Sequence, residues 1–163
     1  MEIKDLHLVS GYDRQQELGE LFREYEALLI PLDEQMAACL AMQNYSQELL
    51  HLQGKYGQPD GRLYLAYIDG KLAGCVALRR FDDTHCELKR LFVRPAYRGI
   101  GLGKYLLDMI VAEAKTIGYQ CMLLDTLPGL ATAVVMYKRY GFQVTDKYYE
   151  NPVANAIYMK LPL

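Results

Sequence analysis

The stretch Val93-Arg94-Pro95-Ala96-Tyr97-Arg98-Gly99-Ile100-Gly101-Leu102-Gly103-Lys104 gathers the residue types that hold an anion. Its glycines accept backbone angles that other residues resist, and they let main-chain amides approach a ligand closely. Arg98 and Lys104 put a positive charge at either end. A strand precedes the loop. A helical face of Leu106, Met109, Ile110 and Ile117 follows it. A glycine turn from strand to helix aims unpaired amides past the helix start, so the expected ligand carries phosphate.

Spacing excludes two common phosphate loops. A Walker A loop needs Gly five residues before its Gly-Lys pair and Ser or Thr after it, but Arg98 and Tyr105 hold those positions. A dinucleotide fingerprint needs Gly-x-Gly-x-x-Gly. Its last position falls on Lys104 when counted from Gly99, and on Leu106 when counted from Gly101. What remains is Arg-Gly-x-Gly-x-Gly after a strand that ends in Val-x-Pro. His85-Cys86 beside Asp82 and Asp83 matches no metal-ligand spacing and reads as a polar turn between strands, so no metal is expected.

The elements that must position this loop read as a mixed α/β chain. Leu6 to Val9 forms a first strand, and Leu18, Leu21, Phe22, Tyr25, Leu28 and Leu29 recur at helical spacing until Pro31 interrupts. Asp33 is the expected N-cap of a second helix through Met36, Ala37 and Leu40. Asn44 to Gln58 reads as more helix and then loop; Pro59-Asp60-Gly61 is a turn. Strands Arg62 to Ile68 and Lys71 to Arg79 flank the hairpin signal Asp69-Gly70, and Cys86 to Val93 follows. After the glycine helix, which Gly118 ends, come a strand from Cys121 to Thr126 and a helix from Ala131 to Tyr140. The tail reads as two strands, Phe142 to Tyr149 and Ala154 to Leu161, around Asn151-Pro152.

At 163 residues the chain is the size of one domain, with no repeat or linker, and is read as a single domain over 1–163. Hydrophobic residues make up 52% and charged residues 23%, with a net charge of -2, which argues for a packed core and against disorder or a nucleic-acid surface. Met1-Glu2-Ile3-Lys4-Asp5 lacks the basic-then-apolar pattern of a signal peptide. No apolar run approaches the roughly 20 residues that span a bilayer. Cys39, Cys75, Cys86 and Cys121 form no CxxC pair, and three sit among apolar neighbours, as reduced thiols do. The expectation is a cytoplasmic protein that engages neither nucleic acid nor membrane.

The glycine loop resembles motif A of the GNAT superfamily of N-acetyltransferases, whose Arg/Gln-x-x-Gly-x-Gly/Ala pattern Arg98, Gly101 and Gly103 meet. Glu87-Leu88-Lys89-Arg90-Leu91-Phe92-Val93 is similar to that family's fourth strand. Tyr137-Lys138-Arg139-Tyr140-Gly141-Phe142 is similar to its Tyr-x-x-x-Gly-Phe motif. Two motifs in the right order are more specific than either alone. The resemblance implies a single GNAT-like α/β domain, with a central, mostly antiparallel sheet flanked by helices and splayed between its fourth and fifth strands. It also implies acetyl-CoA as cosubstrate. Main-chain amides of Arg98, Gly99, Ile100, Gly101, Leu102, Gly103 and Lys104 would hold the pyrophosphate, and Leu91, Phe92 and Val93 the pantetheine arm. An extended, amide-bearing arm pairs with an open strand edge as an added strand does. Many members carry Asn seven residues before the motif tyrosine; here Leu130 stands there, which leaves that contact to Thr132 or to the backbone.

Acyl transfer from a thioester needs a neutral amine, a stabilised oxyanion and a leaving thiolate. An alkylamine of pKa near 10.4 needs a base or a desolvating pocket at pH 7. The resemblance implies Tyr137 as the acid that protonates the departing sulfur. It points to Glu87 as the base, acting through water, with a plain surface carboxylate as the alternative. Arg79 and Arg80 are candidates for a substrate carboxylate, Asp125 for an ammonium group, and Tyr148, Tyr149 and Asn151 for the rim. The expected activity is transfer of an acetyl group from acetyl-CoA to the primary amine of a small molecule by direct attack. The alternatives are a protein or peptide N-acetyltransferase and a non-catalytic acyl-CoA-binding sensor. A homodimer is the assembly considered.

Overall fold

Apolar side chains alternate along the central strands and so supply two faces, which helices must cover from both sides. The computed structural model describes residues 3–163; Met1 and Glu2 of the N-terminal stretch lie outside the described residues. Among the described residues, seven strands form one sheet in the order β1-β2-β3-β4-β5-β7-β6. They are β1 (Leu6–Ser10), β2 (Arg62–Ile68), β3 (Lys71–Arg80), β4 (His85–Val93), β5 (Cys121–Thr126), β6 (Gln143–Thr145) and β7 (Ile157–Pro162). All neighbours pair antiparallel except β4 and β5, which run parallel. This is the mixed, mostly antiparallel sheet expected above.

The helices are α1 (Gln15–Leu29), α2 (Met36–Met42), α3 (Leu52–Tyr56), α4 (Leu102–Ile117) and α5 (Ala131–Tyr140). Alternation along β3 divides the core. Ala73, Val76 and Leu78 meet Leu106, Leu107 and Ile110 of α4, whereas Leu72, Cys75 and Ala77 meet Leu18, Leu21 and Phe22 of α1. Burial of such side chains, about 1.5–3 kcal/mol each, holds the two layers to the sheet.

Three local expectations change. The N-cap of α2 is Gln35, because the Asp33 carboxylate accepts from the Gln35 amide at 2.7 Å in a turn one step before the helix. Asn44 to Gln58 folds as a 3-10 turn over Tyr45–Leu50 followed by α3. Each is too short for a periodic signal. The tail strands are shorter than expected: β6 has three residues, and 146–156 crosses the sheet end as a loop. Tyr148 and Tyr149 bond to Glu87 and Asp125 of the sheet rather than to a strand ladder, and Asn151 bonds within the loop to Tyr149 and the Val153 amide.

Candidate active site

The β4–β5 pairing lasts only from His85–Cys121 to Glu87–Leu123. From Leu88 onward β4 keeps β3 on one side, as far as Val93 opposite Gly74, while its other edge parts from β5. β5 meanwhile continues against β7 to Thr126. A fork results, with Leu91, Phe92 and Val93 along its open edge. Phe92 turns inward, 5.6 Å from the Tyr25 ring, whereas Leu91 and Val93 are only partly buried.

A bulge shapes this edge. Cys75 pairs with Phe92 and Ala77 with Lys89, so Val76 alone faces Arg90 and Leu91. Arg90 takes a left-handed φ of 56°, a conformation that costs a non-glycine residue about 1–2 kcal/mol. The extra residue places two successive side chains on the α1–α3 side of the sheet, where Lys89 and Arg90 both donate to Oε1 of Gln43 at 3.3 Å. Arg90 then forms a two-pronged bond to Glu48, at 2.9 and 2.8 Å, and stacks 4.6 Å over Tyr45. Lys55 binds the same Glu48. Burial alone would raise the Glu48 carboxyl, but the bond and charge of Arg90, with Lys55, hold it below the usual carboxylate range.

The expected phosphate loop sits at the far end of the fork. Gly99 and Gly101 have φ of 79° and 89°, which L side chains resist, and Gly101 is the N-cap of α4. The helix's first backbone bond runs from Tyr105 to the Gly101 carbonyl, so the amides of Leu102, Gly103 and Lys104 precede it without an intrahelical partner. Among the described residues, no side chain caps that end. Arg98 folds back, donating to the Val93 carbonyl at 2.9 Å, and Lys104 pairs with Asp108 at 2.8 Å. Both expected cations thus flank the loop while tied to protein partners. Thr132, in the first turn of α5, lines a groove of about 570 Å³ with Lys104, Met136 and Tyr140.

At the fork itself, Glu87 is 2% exposed, which rules out the surface carboxylate. It accepts from the Tyr148 hydroxyl at 2.5 Å and faces Arg79 at 3.4 Å and Lys89 at 3.6 Å. Lys89 also lies 3.9 Å from Asp125. Asp125 in turn accepts from Tyr149 at 2.6 Å, and Asn151 donates to the Tyr149 oxygen at 2.8 Å. Glu87, Lys89, Asp125, Tyr148 and Tyr149 therefore form one connected cluster. Arg80 stands apart, exposed and paired with Asp83. His85 belongs to the turn, where Asp82 accepts from the amides of Thr84 and His85.

Two spaces meet at this cluster. A cleft of about 740 Å³ is bordered by Lys55, Arg79, Glu87, Tyr148 and Tyr149. A smaller cavity of about 60 Å³ runs under the fork past Tyr25, Cys39, Asp125 and Leu130. Gln43 and Lys89 line both and form the wall between them. Tyr137 is buried on α5 with its ring edge-on to Phe142 at 5.6 Å. Its hydroxyl has no hydrogen-bond partner among the described residues. Burial, with Tyr25 and Asp125 adding to it, pushes that phenol well above its ordinary pKa, so it keeps its proton through the neutral range.

Sequence reasoning missed Gln43, Glu48, Lys55 and Lys89. The Lys89-Arg90 pair inside an otherwise alternating strand is the signal that exposes the bulge; the first three residues lie in or beside the aperiodic stretch and carry none.

The comparisons with known proteins agree with this geometry. The acetyltransferase (GNAT) family model matches residues 12–142. An uncharacterised N-acetyltransferase of Schizosaccharomyces pombe is 43% identical over 126 residues, spanning 76% of this chain and 77% of that protein. A crystal structure of an acetyltransferase from Streptococcus agalactiae superposes with a TM-score of 0.78 at 22% identity, covering 98% and 99% of the two chains. A GNAT acetyltransferase from Elizabethkingia anophelis, with acetyl-CoA bound, gives 0.65 at 21% identity over 98% and 99%. With its forked sheet and glycine-capped helix, this chain belongs to the GNAT family of acetyltransferases.

Proposed function

We propose that this protein transfers the acetyl group of acetyl-CoA to the primary amine of a small molecule by direct attack on the thioester. The observation that carries this reading is the fork. β4 leaves β5 after Glu87, and its free edge runs toward the unpaired amides that start α4. A pyrophosphate fits those amides, since positive-φ glycines leave the approach open and the helix start favours negative charge. The main chain of Leu91 to Val93 then pairs the pantetheine amides. A backbone N–H on the same edge meets the charge that develops on the thioester oxygen.

The amine enters from the 740 Å³ cleft, a volume suited to a small molecule. Its nitrogen bonds to the carbonyl carbon as the carbon–sulfur bond breaks. Glu87 takes the amine proton through a water, and Tyr137 gives its proton to the leaving sulfur. Tyr137 carries its proton at neutral pH, and burial that raises the phenol makes it a weak acid, so its share in the leaving step is modest.

The reading is tested by a thiol-release assay with acetyl-CoA over a panel of primary amines, with products identified by mass spectrometry. Amine-dependent release with an acetylated small molecule supports it. Acetyl-CoA binding without amine-dependent release across the panel contradicts it.

A further inference from the structure

We infer that the acceptor carries a carboxylate as well as its amine, and that Lys55 and Arg79 in the wall of the large cleft bind that carboxylate. The inference rests on the acetyltransferase reading above and deepens it.

The case begins with charge balance. Among the described residues, the linked ion pairs around the cleft and fork hold four cations, Lys55, Arg79, Lys89 and Arg90, against three carboxylates, Glu48, Glu87 and Asp125. Glu48 and Glu87 are each shared by two cations. The side chains of Glu48, Glu87, Lys89 and Arg90 are all under 7% exposed, so water does little to screen the surplus. Arg80, Asp83 and Asp60 lie at the exposed rim, where screening makes them weak contributors.

Geometry locates the surplus. Arg90 occupies both oxygens of Glu48, and Lys55 must share one of them. The Lys55 ammonium also reaches the Gln43 carbonyl at 3.3 Å, lies 5.6 Å over the Tyr56 ring and faces the cleft. Burial, reinforced by Arg90 and Lys89 and opposed by Glu48, pulls it down to about 8. Such a cation gains from a further anion. Arg79 has a side chain 39% exposed and holds Glu87 through one long contact of 3.4 Å, which leaves its remaining N–H groups for a ligand. One carboxylate from the substrate brings the cluster to neutrality. A second ammonium group, as in a diamine, adds to the surplus and is disfavoured.

The experiment compares turnover of three matched acceptors: amino acids, their carboxamides, and diamines of similar length. The expected kcat/KM for acids exceeds that for amides by about 10–100-fold, the range for losing one charge-assisted contact. Lys55→Met is expected to lower the acid-to-amide ratio about tenfold, with Arg79 holding the remainder, and Lys55→Arg to retain most of it. Should Lys55→Met fail to fold, Arg79→Gln supplies the same comparison. Equal turnover of acids and amides, or preference for diamines, overturns this inference and leaves the acetyltransferase reading standing. Absence of amine-dependent turnover in every class, with acetyl-CoA still bound, overturns both.

Discussion

The Tyr148 hydroxyl donates to Oε2 of Glu87 across 2.5 Å, although the two residues stand 61 positions apart. The contact ties the 146–156 loop to the strand where the sheet forks. Tyr148 is anchored by edge-on contacts to Phe81 at 5.3 Å and Tyr158 at 5.5 Å, so the ring stays in place without its hydroxyl. Tyr148→Phe therefore isolates the hydrogen bond. Loss of a bond to a charged acceptor is expected to lower stability by about 1.5–3 kcal/mol. The KM for acetyl-CoA is expected to hold within about twofold, while kcat/KM for the amine falls about tenfold as Glu87 loses its orienting partner. Denaturant titration and steady-state kinetics read the two effects; a large rise in acetyl-CoA KM would show that the loop serves the cofactor side instead.

Glu48 is the structural counterpart. Glu48→Gln leaves Arg90 buried with its charge unmatched, and removing one partner of such a pair is typically worth about 3–5 kcal/mol. The carboxyl is held below its ordinary range in the folded protein. Its contribution is thus present above the unfolded value near 4.5 and is lost as pH falls through the folded one. Wild type and Glu48→Gln are expected to converge in stability under acid. Parallel stability–pH curves between neutral and acid conditions would contradict this account of the ion pair.

Much of this was legible in the sequence because it is local. The hairpin at Asp69-Gly70, the glycine loop into α4 and the Tyr137 to Phe142 motif are each specified by residues within a few positions. The resemblance to a family extended that reading to Glu87. Glu48 and Arg90, by contrast, meet across 42 positions, and their pairing depends on a bulge that only the assembled sheet defines. The Tyr148–Tyr149 loop misled for a related reason. Apolar rings next to short polar residues look like a strand, yet their hydroxyls find better partners in Glu87 and Asp125 than in a ladder.

Tyr137→Phe separates packing from chemistry. The ring's edge-on contact with Phe142 is available to Phe, and the hydroxyl has no partner among the described residues to lose. Stability and acetyl-CoA affinity are expected to change little. Turnover is expected to fall about 10²-fold, the low end for general acid catalysis, since a thiolate leaves fairly well unaided. With the phenol pKa pushed up by burial, the deficit should be constant from pH 6 to 9. Wild-type turnover in the variant would make Tyr137 a packing residue.

The central claim is that the start of α4 holds acetyl-CoA, and Gly101 is the residue on which it depends. Gly101 caps the helix at a φ of 89° and stands beside the three unpaired amides. Gly101→Glu brings a side chain and a negative charge to the place where a pyrophosphate must lie, and it strains the backbone as well. Calorimetric titration of acetyl-CoA into wild type and into the variant, with circular dichroism confirming that the variant is folded, tests this most directly. The account predicts saturable binding by wild type and none detectable by folded Gly101→Glu; equal affinity in the two proteins would contradict it.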